Sequence, residues 1–549
     1  MIVRTHYLPM QAVPSEPVGT DRRTFIKSAA GGLAFAGMAG NNKPLIRGLL
    51  SNLGAQKSKT PITNLVVVMM ENRSVDHFLG WYGKENPNFD GRQDFSVPDL
   101  RAGKSGNVRS HNWGVKGYRS FNGRGFRDPS HGWDGGRLEK ANGRVDGWLH
   151  PGTKNDEYAL SYYDDIDVPV WAQLTRQYQT YDRWHCSLLG PTQPNRYFMH
   201  SGQSGANKNN DPPPVAASKL GHSKWYTGFN WPTVWSLFDQ HHITGSYYIG
   251  NLPVLGYWGR RHVNRIKPLE TWYAQCEAGT LPQVSYIDPF FTVGEEFGND
   301  DHPHADIRLG QAFLSDVIET FVNSRHYQQG AMVVTYDEWG GFYDHVDPPR
   351  IADERGTPKD PGGQNDFAQV GFRVPSSIIS PWTASPQAVD HTTYDHASVV
   401  RFIADNWGLP HLTRRVQSTN SIERAFKGFR RFNPEPQFTP YVAPLSVTVD
   451  AAGHSAKNFV EAEANDPTKL PFLGKIPGSP PWPLPPVFPP EPPPPAPKSA
   501  PKPEPIEGFE KALEMGWFEK HKIRTDYKLE NSFAKSRPAL LKEANAPRP

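Results

Sequence analysis

The chain has 549 residues, a formal net charge of +3 and 12% aromatic residues. That length accommodates one large catalytic domain with appendages, and so even a charge gives a nucleic-acid partner no support. Two cysteines, Cys186 and Cys276, exclude a disulfide scaffold or a zinc cluster and leave a single pairing open.

Residues 1–45 read as an export signal. In "DRRTFIKSAAGGLAFAGMAG", Arg22 and Arg23 precede a Gly/Ala-rich stretch too short to span a bilayer as a stable helix. The segment resembles a bacterial twin-arginine signal, with Asp21 where Ser or Thr is usual. The expectation is a folded protein passed to the twin-arginine export machinery and released to the periplasm or the exterior. A basic amphipathic helix is the alternative.

Residues 60–409 read as one α/β unit. Strand-type runs recur in "NLVVVMM", "GSYYIG", "QVSYID", "AMVVTYD" and "VPSSIIS". Helix-type segments lie between them, as in "DIRLGQAFLSDVIETFVNS", where Ile307, Leu309, Ala312, Phe313 and Val317 roughly keep helical spacing. The alternation predicts a mainly parallel sheet with helices on both faces. Residues 86–154, rich in Gly, Arg and Asn, are expected as long loops over one sheet edge. Segment 410–476 is expected to pack on the domain as an accessory, with "APLSVTVDAAG" as a strand. The tract 477–505 is a proline-rich, semi-rigid spacer. Residues 506–549 form a charged tail, with one short amphipathic helix over "IEGFEKALEMGWFEKHKI".

Ligands of open α/β sheets gather outside the carboxyl ends of the strands. Glu71 and Asn72 follow the first run, and Asp337 and Glu338 follow "AMVVTY". Three carboxylates and an amide converging there repel one another without a cation, and such oxygen-rich clusters suit a hard or borderline divalent metal. Capping or surface charge is the plainer reading of either pair alone. In "SLLGPTQPNRYF", Thr192 stands where a helix N-cap is expected, with Pro194 in the first turn. It is either only a cap, or a hydroxyl poised at an anion cradle to attack phosphorus. His131, His302 and His345 lie in Gly/Pro/Asp-rich loops, as candidate phosphate ligands, general acids or metal ligands. Asp301, Asp395 and His396 are candidates for metal ligation or for orienting an imidazole.

These motifs occur in the order and rough spacing of the phosphoesterase family. "VVMMENRSVDHFLGWYG", "DPSHGWDG", "YDRWHCSLLGPTQPNRYF", "NDDHPHADIRLGQAF", "VVTYDEWGGFYDHVDPP" and "YDHASVVRFI" carry the resemblance, across roughly 60–409. That family includes bacterial phosphatidylcholine-hydrolysing phospholipases C, plant non-specific phospholipases C and a respiratory-burst-inhibiting acid phosphatase. The resemblance implies an alkaline-phosphatase-like α/β fold and a divalent or trivalent metal ion held by Glu71, Asn72, Asp337 and Glu338. It implies Thr192 as nucleophile, with His131, Asp301, His302 and His345 around the phosphate and His396 in a matching motif. Val75, Leu79 and Gln193 depart from the family pattern without removing a chemical group. The implied activity is phospholipase C cleavage of phospholipid phosphodiesters through a phosphothreonine intermediate, with transient contact at a membrane surface. The alternatives are a phosphomonoesterase on soluble phosphate esters, or an inactive phosphate- or lipid-binding protein on the same scaffold.

Overall fold

The run Asn64–Met70 forms strand β1, whose residues past Asn64 are all buried. A strand apolar on both faces belongs in the middle of a parallel sheet, and β1 lies there. In the computed structural model, residues 57–426 are described apart from 124, 214–227, 294–297, 356–364 and 384; so are 431, 435, 438–441, 443 and 509–527. The segment 1–45, the spacer 477–505 and the strand expected within 410–476 lie outside the described residues.

The other strands of the main sheet are β2 (Gln179–Tyr181), β3 (Gly245–Ile249), β4 (Ile266–Pro268), β5 (Val284–Asp288), β6 (Gly330–Tyr336), β7 (Ser376–Ile379) and β8 (Val389–Asp390). Their order across the sheet is β8-β2-β7-β6-β1-β5-β3-β4. All neighbours pair parallel except at β7, which runs antiparallel to both β6 and β2. The mainly parallel α/β sheet expected from the alternating runs is therefore present. The short strands β2, β4 and β8 carry too few residues to show a period in sequence.

Register fixes the site. β1 and β6 pair in step until Met70 faces Tyr336. The next residues, Glu71 and Asp337, therefore leave the sheet side by side. On the other flank of β1, Val68 faces Ile287, so Asp288 ends β5 at the same rim.

Helices α1 (Val75–Leu79), α2 (Trp133–Lys140), α3 (Thr192–Ser201), α4 (Ile307–Val322) and α5 (His396–Trp407) surround the sheet. Every residue of α3 is buried, so it passes through the interior with Gly202, at φ 66°, ending it in the left-handed conformation. The region 86–154 is mostly loop, with the hairpin 96–98/107–109 and α2 inside it. Cys186 and Cys276 are both buried and unpaired. Among the described residues, no helix is long and apolar enough to cross a membrane.

The single helix expected in the tail is two, α6 (Phe509–Glu514) and α7 (Trp517–Lys520). Gly516, at φ 61°, separates them, a backbone conformation glycine adopts without Cβ strain. Their aromatic residues are buried rather than displayed on a solvated tail.

Candidate active site

Helix α3 begins one residue earlier than a Thr192 cap requires. Pro191 is the cap, extended at φ −77°, ψ 177°, and Thr192 is the first helical residue. Its hydroxyl is thus not spent on capping. Thr192 Oγ1 donates instead to Asn72 Oδ1 at 3.3 Å. Pro194 sits in the first turn, where no helical N–H is needed. Asn195 ties the loop before the helix, donating to Gly190 O at 2.8 Å and accepting from Leu188 N at 2.8 Å.

One turn on from Thr192, Arg196 faces the same side. Its guanidinium lies 3.0 Å from Asp288 Oδ1, 3.2 Å from Asp337 Oδ2 and 3.4 Å from Glu71 Oε1, and donates to Met70 O at 2.9 Å. This amends the inference that the converging carboxylates have only a metal to neutralise them: part of the cation is built in. Burial raises the carboxyl pKa of Asp288, and the nearby Arg196 opposes that. Arginine stays protonated even here.

Asn72 is held at φ 61°, a left-handed backbone that asparagine tolerates better than most residues. Its N–H donates to Asp337 Oδ1 at 3.1 Å, as does Glu338 N at 2.8 Å. Glu338 Oε2 accepts from Gly340 N at 2.6 Å. Gly340 is required for this closeness: a Cβ there would stand 2.1 Å from Asn72 O.

The loop before α2 brings His131 onto this cluster. Its Nε2 stands 3.5 Å from Asn72 Nδ2 and 3.8 Å from Glu338 Oε1, while Nδ1 donates to Pro129 O at 2.5 Å. His302 stands beside it, the two rings 6.2 Å apart and nearly perpendicular. Asp128 lies 3.8 Å from His302 Nε2 and 4.0 Å from His131 Nδ1. Asp128, His131 and His302 each offer one ligand atom, all within 4.8 Å of one another.

The remaining sequence-predicted residues lie around this centre rather than in it. Asp301, also left-handed at φ 73°, accepts from Tyr336 Oη at 2.6 Å, and its carbonyl takes Arg73 Nε at 2.7 Å. Burial pushes its carboxyl up to about 7. His396 donates through Nε2 to Asp337 O at 2.6 Å and so steadies the strand end; burial holds its pKa down at about 4. Asp395 is held by Thr419 Oγ1 at 2.7 Å, Ser187 Oγ at 2.9 Å and Arg415 at 2.9 Å. His345 spends both ring nitrogens elsewhere, on Asp76 at 2.6 Å and Asp90 at 2.9 Å. Arg373 closes that second cluster, 2.9 Å from Asp344 and 3.2 Å from Asp76.

Sequence reading missed Asp128, Arg196 and Asp288. A signal existed for each: Asp128 opens the same "DPSH" turn as His131, Arg196 follows Thr192 by four residues, and Asp288 ends a strand-type run.

The model of the Phosphoesterase family matches residues 62–410. The chain belongs to that family. It is a phosphoester hydrolase. Over 407 residues it is 27% identical to the protein named Non-specific phospholipase C1 from Arabidopsis thaliana, covering 68% of this chain and 72% of that one. Over 448 residues it is 28% identical to Phospholipase C B from Mycobacterium tuberculosis strain H37Rv, covering 71% and 82%. Among solved structures, it overlaps loosely with a protein in the alkaline phosphatase superfamily from Vibrio parahaemolyticus, at TM-score 0.30 and 9% identity over 68% of this chain and 73% of that one.

Proposed function

We propose that the chain is a metal-dependent phospholipase C, cleaving phospholipid phosphodiesters with Thr192 as nucleophile. The observation carrying this reading is the Thr192 hydroxyl, unused by capping, at the start of a buried helix and 3.3 Å from the Asn72 amide. The names of the relatives point the same way.

The donor set fits a metal ion. Four buried carboxylates, Glu71, Asp288, Asp337 and Glu338, gather at the strand ends with one guanidinium paired to three of them, so the cluster keeps negative charge that a metal ion would offset. Ligands at about 2.1 Å from an ion stand roughly 3–4 Å apart, and His131 Nε2 is 3.8 Å from Glu338 Oε1. Glu71, Asn72, Asp337 and Glu338 would hold the ion, with His131, His302 and Asp128 beside it. Bound there, it would act as a Lewis acid on the phosphoryl oxygen and acidify a nearby hydroxyl.

The protein's own groups account for the rest. Asn72 accepts the Thr192 hydrogen bond and aims Oγ1. His131 and His302, beside Asn72 and Glu338, would stabilise the charge on the phosphoryl oxygens. Thr192 Oγ1 bonds to phosphorus as the bond to the departing alcohol breaks; one of the imidazoles of His131 and His302 takes the Thr192 proton and the other, protonated, gives the alcohol its proton. Water then hydrolyses the phosphothreonine, releasing the phosphorylated head group and restoring Thr192. The paired-arginine segment supports export by the twin-arginine route, which fractionation of cells carrying Arg22→Lys/Arg23→Lys would test.

The deciding experiment assays the purified protein, with its metal content measured, on phosphatidylcholine, sphingomyelin and soluble phosphomonoesters. Turnover of a phosphodiester lipid, absent in Thr192→Ala, is the expected result. Turnover of monoesters alone would replace this reading with a phosphomonoesterase. Full activity in a metal-free preparation would remove the metal from the mechanism.

A further inference from the structure

In the segment 509–523 the apolar residues Phe509, Ala512, Trp517, Phe518 and Ile523 are buried, whereas Lys511, Glu514, Glu519 and Lys520 are exposed. This amphipathic face is seated on the catalytic domain. Trp517 Nε1 donates to Gly256 O at 3.1 Å, and the Phe518 ring stacks 5.8 Å from Tyr257. The Phe509 ring stands 5.1 Å from that of Phe291. The seat is shaped for this occupant: a Cβ on Gly256 would approach Ile523 to 3.0 Å and Phe518 to 3.1 Å.

The far side of the seat is the reaction centre. The Arg196 guanidinium lies over Phe291 at 4.7 Å. Tyr257 meets Tyr197, the next residue of α3, at 6.2 Å. Two aromatic paths, Phe509–Phe291 and Phe518–Tyr257–Tyr197, thus converge on the position of Arg196. Released from Phe291, that long side chain regains rotamers in which it leaves Glu71 and Asp337.

We infer that the docked segment Phe509–Ile523 is a positioning element of the reaction centre, backing Phe291 and Tyr257 so that Arg196 is held against Glu71, Asp288 and Asp337. This rests on the reading of that centre as the site of phosphoester cleavage. The segment touches no reacting atom, so its loss shows in turnover rather than in substrate binding.

The test uses the full-length protein and a phosphoester that the wild type hydrolyses. Phe509→Leu and Trp517→Ala are each expected to lower kcat about tenfold, within the usual range for coupling through packed side chains, with KM within about twofold and the far-ultraviolet spectrum unchanged. Leu513→Ala, at a position 39% exposed, is expected to change nothing. Phe291→Leu should lower kcat to a similar degree, and Phe509→Leu/Phe291→Leu no further than the worse single change, because both act on one contact. Unchanged kcat with a lowered melting temperature, or losses that multiply, would overturn the inference. If Trp517→Ala does not fold, the milder Phe509→Leu decides. A wild type inactive on every phosphoester overturns the reading of the centre, and the tail's role with it; an active wild type with unaffected variants overturns the tail's role alone.

Discussion

Two clusters in this molecule are built from the same parts. Around Thr192, carboxylates, an arginine and two histidines meet at the strand ends. Around His345, carboxylates, an arginine and a histidine meet beside α1. The difference lies in the spacing. His345 is saturated: 2.6 Å to Asp76 and 2.9 Å to Asp90, with Arg373 2.9 Å from Asp344. The first cluster is tight beneath, around Arg196. At its mouth, Thr192 to Asn72 is 3.3 Å, and His131 to Glu338 and His302 to Asp128 are each 3.8 Å. Donor atoms roughly 3–4 Å apart stand at the separation of ligands around one ion. Groups at the shorter spacing are already each other's partners. Both triads, Asp128–His131–His302 and Asp76–Asp344–His345, bring ligand atoms within 4.8 Å of one another, but the second is tied to Arg373 by ion pairs through Asp76 and Asp344.

Four substitutions press on that contrast. Thr192→Ala should have the largest effect, lowering kcat about 10³-fold or more, as loss of a nucleophile does, with an unchanged melting curve; near-normal turnover would strip Thr192 of its role. Arg196→Met comes next. It leaves Glu71 and Asp337 buried without their guanidinium, so unfolding in urea should show a loss of about 3–5 kcal/mol. A melt matching wild type would mean that the pairing does not matter for the fold. Asp128→Asn should weaken metal retention or activity about 10- to 100-fold, the usual cost at groups supporting a metal centre; elemental analysis and kcat/KM would read it.

His345→Gln is expected to have the smallest effect on turnover, under about tenfold, and its effect on stability should vary with pH. Burial alone would lower the imidazole pKa, but the hydrogen bonds and charges of Asp76 and Asp90 outweigh it and push it up to about 9. The folded protein therefore holds this proton more tightly than the unfolded chain, whose histidine titrates near about 6.5. The extra stability is complete below that pH and fades as pH rises through about 9. At roughly 1.4 kcal/mol per pH unit it amounts to about 3 kcal/mol at most. Urea midpoints of wild type and variant should differ at pH 6 and draw together above pH 9. A turnover loss as large as that of Thr192→Ala would instead move His345 into the reaction centre.

The contrast also shows what could be read from the chain alone. The central strands were legible because β1 and β6 are unbroken apolar runs, and a polar pair after such a run can only fall at the sheet rim. Thr192 was legible because Gly190-Pro191 breaks the preceding segment. The neutralising role of Arg196 was not, since a basic residue one turn into a helix looks the same whether it meets solvent or three carboxylates. Asp128 was hidden by its proline, because Asp-Pro reads as a turn. His131 and His345 sit in loops of similar composition, and nothing local distinguishes a ring set against Asn72 and Glu338 from one held by Asp76 and Asp90. Those partners are set by tertiary contacts, at separations that periodicity does not reach. The tail misled for a related reason: its aromatic face could have been a solvated amphipathic stripe until the seat at Gly256 and Tyr257 was seen.

The in-step pairing of β1 with β6, Asn64 facing Gly330 through Met70 facing Tyr336, has a consequence in time. The two halves of the carboxylate cluster come from chain segments separated by most of the domain, and such distant pairings form late in folding. Glu71 emerges from the ribosome early and waits for Asp337, so no shorter nascent chain can contain the centre. A phosphoester hydrolase built this way has no complete reaction centre for most of its synthesis, and gains one only when the sheet closes.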